Sequence, residues 1–123
     1  MPVSILIVDD HDGFRRRAAR ALEADGFAVI GQAADLASGL AEAARLHPDV
    51  VLLDIHLPDG CGMEFAPKFA AQAPGAQVIL TSTYDAHDVS HVIGEPGIAG
   101  FLPKSELSGD ALAALLSPAG HGG

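Results

Sequence analysis

Several residues able to do polar chemistry each stand just past a short apolar run. Asp9-Asp10 follow Ile5-Leu6-Ile7-Val8, Asp54 follows Val50-Val51-Leu52-Leu53, Thr81-Ser82 follow Val78-Ile79-Leu80, and Lys104 comes two residues after Gly100-Phe101-Leu102. If the runs are parallel strands, these positions share one rim, because open α/β sheets bind ligands beyond the carboxyl ends of their strands. Three carboxylates gathered there repel one another unless a cation offsets them, and an all-oxygen set with few protein ligands suits Mg²⁺ or Mn²⁺. Beside such a cation, Asp54 can attack a phosphoryl donor, since phosphoryl transfer asks mainly for in-line positioning and for stabilisation of charge spread over three oxygens. Lys104 would supply positive charge from the other side. Thr81 could donate its hydroxyl to a phosphoryl oxygen that exists only after transfer, which makes it a natural sensor of the modified state.

The elements that must position these groups can be read from periodicity. Short Val/Ile/Leu-rich runs alternate with longer stretches of helical spacing, a pattern that recurs five times and implies an α/β sheet with crossover helices. The expected strands are Val3 to Val8, Phe27 to Gly31, Val50 to Leu53, Gln77 to Leu80 and Gly100 to Leu102, apolar enough to be covered on both faces. Phe14, Ala18, Ala21 and Leu22 mark one helix, ended by Asp25-Gly26; Leu36, Leu40, Ala43 and Ala44 mark a second, ended by His47-Pro48. A third helix is expected from about Met63 to Ala73, either starting late or bent at Pro67, which lacks a backbone donor. A short fourth helix, Ala86 to Ile93, should give way to a loop at Glu95-Pro96-Gly97. Ser108 is a natural N-cap for the last helix, with Asp110 in its first turn and Leu112, Leu115 and Leu116 on one face. The expected organisation is one domain over residues 1–117 and a flexible tail over 118–123.

The segments Ile5-Leu6-Ile7-Val8-Asp9-Asp10-His11, Pro48-Asp49-Val50-Val51-Leu52-Leu53-Asp54-Ile55, Leu57-Pro58-Asp59-Gly60 and Gly100-Phe101-Leu102-Pro103-Lys104 resemble the receiver family of two-component response regulators, over nearly the whole chain. The resemblance implies a flavodoxin-like five-stranded parallel sheet, order 2-1-3-4-5, with helices on both faces. It implies that Asp54 is the phosphoacceptor, that Asp10 and Asp54 coordinate the metal directly, that Asp9 helps through water, and that the His56 backbone carbonyl completes the protein ligands. Thr81 would be the switch hydroxyl, Phe101 the aromatic that turns inward on activation, and Lys104 the lysine paired with the phosphoryl group. The implied partner is a sensor histidine kinase or phosphotransfer protein, and the resemblance allows a homodimer that forms on phosphorylation. The Val-Asp-Asp-His opening and the Gly-Phe-Leu-Pro-Lys segment look most like the LuxR/NarL subfamily, whose full-length members usually add a DNA-binding helix-turn-helix. The Glu95-Pro96-Gly97 break departs from receivers that continue the fourth helix there, and His56 and Thr83 stand where the family tunes dephosphorylation.

Composition bounds the alternatives. The chain has 123 residues, 49% of them apolar, enough for one core. A formal charge of −9 with seven Lys and Arg argues against direct nucleic-acid binding by this chain, which would need cations to neutralise phosphates. No apolar run approaches the roughly 18 residues of a membrane span, and the opening residues do not form an export signal, so a cytoplasmic protein is expected. Cys61 is alone and reads as a small loop residue. Arg15, Arg16, Arg17 and Arg20 read as a solvated helix face. His87 and His91 have zinc-compatible spacing without a third ligand, and His11 reads as a helix-start residue beside the site. A haloacid-dehalogenase-type phosphatase would need an acid where His56 stands and a nucleophile on its first strand. A nucleotide-binding domain would need a glycine-rich loop after the first strand, where Asp9-Asp10 would repel phosphate. The remaining rival is a pseudo-receiver, an interaction module independent of phosphorylation. Neither the receiver nor the pseudo-receiver reading makes the chain an enzyme, beyond weak self-catalysed loss of the receiver's phosphoryl group.

Overall fold

All five residues of β3 (Val50–Asp54) are buried, as expected of a strand flanked on both edges and covered on both faces. A computed structural model, which describes residues 2–83 and 95–116, places it at the middle of a five-stranded sheet. Its neighbours are β1 (Ser4–Val8) and β6 (Gln77–Ser82), with β2 (Ala28–Ala33) and β7 (Ile98–Pro103) at the two edges. Every neighbouring pair is parallel. Counting only these strands, the order is 2-1-3-4-5, the doubly wound arrangement whose ligand site lies where the strand order reverses. A hairpin of β4 (His56–Leu57) and β5 (Gly60–Cys61) projects from the end of β3.

The crossovers divide the helices between the faces. On one side α1 (Asp12–Ala24) and α4 (Gly109–Leu115) bury Ala18, Leu22 and Leu112 against Ile5, Ile7, Leu52 and Ile79. On the other, α2 (Leu36–Leu46) and α3 (Gly62–Gln72) bury Leu36, Ala43, Ala66 and Phe69 against Leu6, Val8, Val51, Leu53 and Leu80. Alternate residues of each strand thus feed two separate cores, as the two-residue period of a strand requires. Each fully buried Val, Leu, Ile or Phe among them stabilises the fold by about 1.5–3 kcal/mol relative to exposure.

Local chemistry sets the helix ends. Asp35 accepts the Ser38 N–H at 2.8 Å and starts α2, while His47, left-handed at φ 50°, ends it before Pro48. Ser108 Oγ accepts the Ala111 N–H at 3.0 Å and starts α4, as the sequence predicts. The third helix follows the expected span: α3 runs from Gly62 to Gln72, against about Met63 to Ala73, and passes through Pro67 without starting late. Pro67 is its sixth residue, so only the Met63 carbonyl loses an intrahelical donor, a cost the buried face of Ala66 and Phe69 outweighs. Strands β6 and β7 are each longer than expected, which puts Thr81 inside β6. Glu95-Pro96-Gly97 forms a turn, closed by the Ile98 N–H to the Glu95 carbonyl at 3.0 Å. The expected fourth helix with His87 and His91, and the tail, lie outside the described residues.

At the amino end of the sheet, Ser4 and Asp49 lock β1 to β3. The Ser4 N–H and hydroxyl donate to Asp49 Oδ2 at 2.9 and 3.1 Å, and the Asp49 N–H donates to Ser4 Oγ at 2.9 Å. The register that follows, Val8 opposite Leu53 and Asp54 opposite Thr81, brings the ends of three strands level. Among the described residues no helix is long and apolar enough to cross a membrane.

Candidate functional site

The rim at the carboxyl ends of β1, β3, β6 and β7 gathers Asp9, Asp10, Asp54, Thr81 and Lys104. Asp9 extends β1 by one hydrogen bond, its N–H donating to the Ala33 carbonyl at 2.9 Å, and its side chain is 1% exposed. Asp10, next along the chain, is 37% exposed. Asp54 ends β3 and is buried, its Oδ1 accepting the His56 N–H at 3.2 Å. Lys104 opens a single 3-10 turn (Lys104–Glu106), and its ammonium lies 2.6 Å from Asp9 Oδ2 and 3.4 Å from Asp54 Oδ2. The ring of Phe14 on α1 faces that ammonium at 4.5 Å from its centroid, a cation–π contact that helps hold it at the rim.

Burial pushes the Asp54 carboxyl above its ordinary range and the charge of Asp9 adds to this, while Lys104 and the His56 N–H pull the other way. A carboxylate so placed gains from any added positive charge. Asp9 Oδ2 is buried and has no hydrogen bond of acceptable angle; the Lys104 ammonium is close to it as a charge but not aligned as a donor. Ligand atoms of Asp9, Asp10, His11 and Asp54 all lie within 4.8 Å of one another. An incompletely satisfied buried carboxylate oxygen among other carboxylates fits a hard divalent cation of the Mg²⁺ type. A cleft of about 500 Å³, lined by His11, Asp54, His56 and Thr83, reaches Asp54 from solvent.

Thr81 is buried beside Asp54, and its carbonyl accepts the Ile55 N–H at 2.9 Å. Phe101 pairs with Leu80 across β6 and β7 and is half-buried against the core on the α2 and α3 side. His56 contributes its N–H to Asp54, and its side chain is exposed at the cleft.

Other residues matter more than the sequence suggested. His11 is the N-cap of α1, as a helix-start residue should be, yet its Nδ1 also lies 3.0 Å from Asp9 Oδ1 and 3.2 Å from Asp10 Oδ1. Arg15 is not part of a solvated face: its side chain is 15% exposed, against 70% for Arg16, and it turns back under the Asp9-Asp10 loop. Helical spacing already separates the two, since Arg15 stands three and seven residues before the buried Ala18 and Leu22 and Arg16 does not; the acceptors that hold Arg15 there lie on the loop, on β2 and in the first turn of α1. Asp59, in the hairpin turn, accepts the Leu36 and Ala37 N–H groups at 2.8 and 3.1 Å and so caps α2 from 23 residues away. The Leu-Pro-Asp-Gly segment and α2 were each visible in the sequence; the contact between them was not.

Residues 5–116 match the response regulator receiver domain model, and the chain belongs to that family. The transcriptional activator DevR/DosR of Mycobacterium tuberculosis is 30% identical over 121 residues, covering 98% of this chain and 55% of that protein. Among solved structures, the signal receiver domain of NarL from the same organism has a TM-score of 0.77 at 30% identity, covering 93% of this chain and 96% of that one. A response regulator from Burkholderia pseudomallei, solved with a phosphorylated aspartic acid, a calcium ion and citrate, has a TM-score of 0.81 at 25% identity, covering 97% of this chain and 69% of that one. This chain spans between 29% and 62% of the length of eight curated relatives that it matches.

Proposed function

We propose that this receiver accepts a phosphoryl group on Asp54 from a phosphohistidine of a sensor histidine kinase or phosphotransfer protein. The reading rests on one observation above all: Asp54 is a buried carboxylate at the end of the central strand, flanked by Asp9 and Lys104, with a cleft leading to it. An Asp54 carboxylate oxygen attacks phosphorus, the P–N bond to the donor imidazole breaks, and an acyl phosphate remains on Asp54. The Lys104 ammonium, already between Asp9 and Asp54, turns to the charge arriving on the phosphoryl oxygens. Asp9, Asp10, Asp54 and the His56 carbonyl would hold Mg²⁺ or Mn²⁺, which when bound neutralises charge on the phosphoryl oxygens. Thr81, level with Asp54 in the sheet, donates its hydroxyl to the new phosphoryl group and draws its loop inward, and Phe101 follows into the space this leaves. A groove of about 630 Å³ along α1 shares His11, Thr83 and Lys104 with the site and gives a donor protein a surface beside the cleft. The switched surface would act on a partner or on an output domain.

The test is intact mass after incubation with acetyl phosphate or phosphoramidate and Mg²⁺. The expected result is a gain of one phosphoryl mass, absent with EDTA and absent in Asp54→Asn. No adduct, together with no binding of the phosphoryl mimic beryllofluoride, would instead make the chain a phosphorylation-independent interaction module.

A further inference from the structure

We infer that Arg15 is a positioning residue for the metal-binding carboxylates, acting through the peptide bond that joins Asp9 to Asp10. This deepens the proposed function and rests on its metal site. The Asp9 carbonyl belongs to that peptide, and it lies past the last β1–β2 pair, Val8 opposite Ala33, where no strand remains to donate to it. Arg15 Nη1 donates to it instead. The same guanidinium donates from Nε to Gln32 Oε1 on β2 at 3.2 Å and from Nη2 to Asp12 Oδ1 at the start of α1 at 3.0 Å. One planar cation thus ties the end of β1, the edge strand and the first turn of α1 to a common frame.

The arrangement bears on the site because Asp9 and Asp10 lie on either side of the held peptide. Holding that plane constrains ψ of Asp9 and φ of Asp10, and with them the relative directions of the two side chains, one buried against Lys104 and the other at the exposed lip. An arginine can fix the plane because its donors are rigidly coplanar, whereas a lysine offers a single flexible point charge. Residues that orient metal ligands without touching the metal commonly change affinity 10–100-fold when replaced.

Charge and positioning predict opposite results. As a charge alone, Arg15 repels a cation at the neighbouring carboxylates, so removing it should tighten metal binding. As a positioning residue, its removal should weaken it. Binding of Mn²⁺ alone, followed by the electron paramagnetic resonance of the free ion, separates these for the wild type, Arg15→Lys, Arg15→Met, Gln32→Leu and the exposed control Arg16→Met, each first checked by circular dichroism. The expected result is about tenfold weaker binding in Arg15→Lys and Arg15→Met, a smaller loss in Gln32→Leu, which leaves every charge in place, and no loss in Arg16→Met. Wild-type affinity in Arg15→Lys, or tighter binding in Arg15→Met, overturns the inference. If Arg15→Met does not fold, Arg15→Lys and Gln32→Leu decide the matter. A wild type that binds no Mn²⁺ is a different failure, that of the metal site itself, and removes the inference with it.

Discussion

The loop after β1 and the loop after β3 bring carboxylates to the same point, but they are held in different ways. The first is short and braced by a charged side chain: Arg15 reaches under it, and the His11 N–H turns back onto Asp9 Oδ1 at 2.8 Å. The second is braced by backbone and by the absence of side chains. The Gly62 N–H donates to the Ile55 carbonyl at 2.7 Å, and a Cβ on Gly62 would lie 2.2 Å from the Asp54 carbonyl oxygen. Asp59 then pins the same loop to the start of α2. The loop carrying the proposed nucleophile is thus a close-packed piece of the core, whereas the loop supplying the two other carboxylates hangs on side-chain contacts. Substitutions should therefore damage the second through packing and the first through orientation.

The largest effect is expected from Gly62→Ala, since the atom its Cβ meets is backbone and cannot step aside. A loss of about 3 kcal/mol, at the upper end for overpacking, should appear as a lower denaturant midpoint. Next in size is the gain from metal: Mg²⁺ at a hundred times its Kd should stabilise the wild type by about 2.7 kcal/mol, read as a rise in Tm, and Asp54→Asn should gain much less. Without metal, Asp54→Asn should melt above the wild type at neutral pH. The sign follows from the raised Asp54 pKa: the folded state holds that proton more tightly than the unfolded chain, so charging Asp54 as pH rises costs stability. That cost disappears as pH falls through the folded value and is fully gone below the ordinary 3.8; Asp54→Asn should flatten this part of the stability profile.

Asp59→Ala should cost about 1 kcal/mol, the usual loss for a helix cap, measured by chemical denaturation. The smallest change sharpens the contrast between the loops. Gly13→Ala, at the other helix start, would place its Cβ against only the movable end of Arg17 at 3.2 Å. It should be neutral or stabilising by about 0.5 kcal/mol, because alanine gives up less backbone freedom than glycine on entering a helix. A Gly13→Ala protein as damaged as Gly62→Ala would mean that the two loops are packed alike after all.

The contrast also explains how much could be read from the sequence. The five strands, the helices α1 and α2 and the Ser108 cap were legible, because apolar periodicity and local capping are written in neighbouring residues. So was the meeting of Asp9, Asp10, Asp54 and Lys104, since each follows a strand directly. What was hidden depends on contacts across the fold. Arg15 stands on the edge of the buried stripe of α1, three and seven residues before Ala18 and Leu22, but two of the acceptors that give its charge a place there, Gln32 on β2 and the Asp9 carbonyl, lie outside its helix. The hairpin of β4 and β5 is too short to carry any period. The span of α3 was legible too, but the effect of Pro67 on its start was not, because burial of Ala66 and Phe69 against the rest of the fold carries the helix through it.

The Ser4–Asp49 lock at the opposite pole of the sheet bears on this site from afar. A slip of β1 by a single residue against β3 would exchange the two faces of the strand, turning Asp10 into the interior and Asp9 out to solvent. By joining residues 45 apart through three hydrogen bonds, the lock singles out one pairing from a set of near-equivalent apolar alignments. Its contribution is to fidelity of assembly: its three bonds form only in the register that puts the acidic cluster in working order.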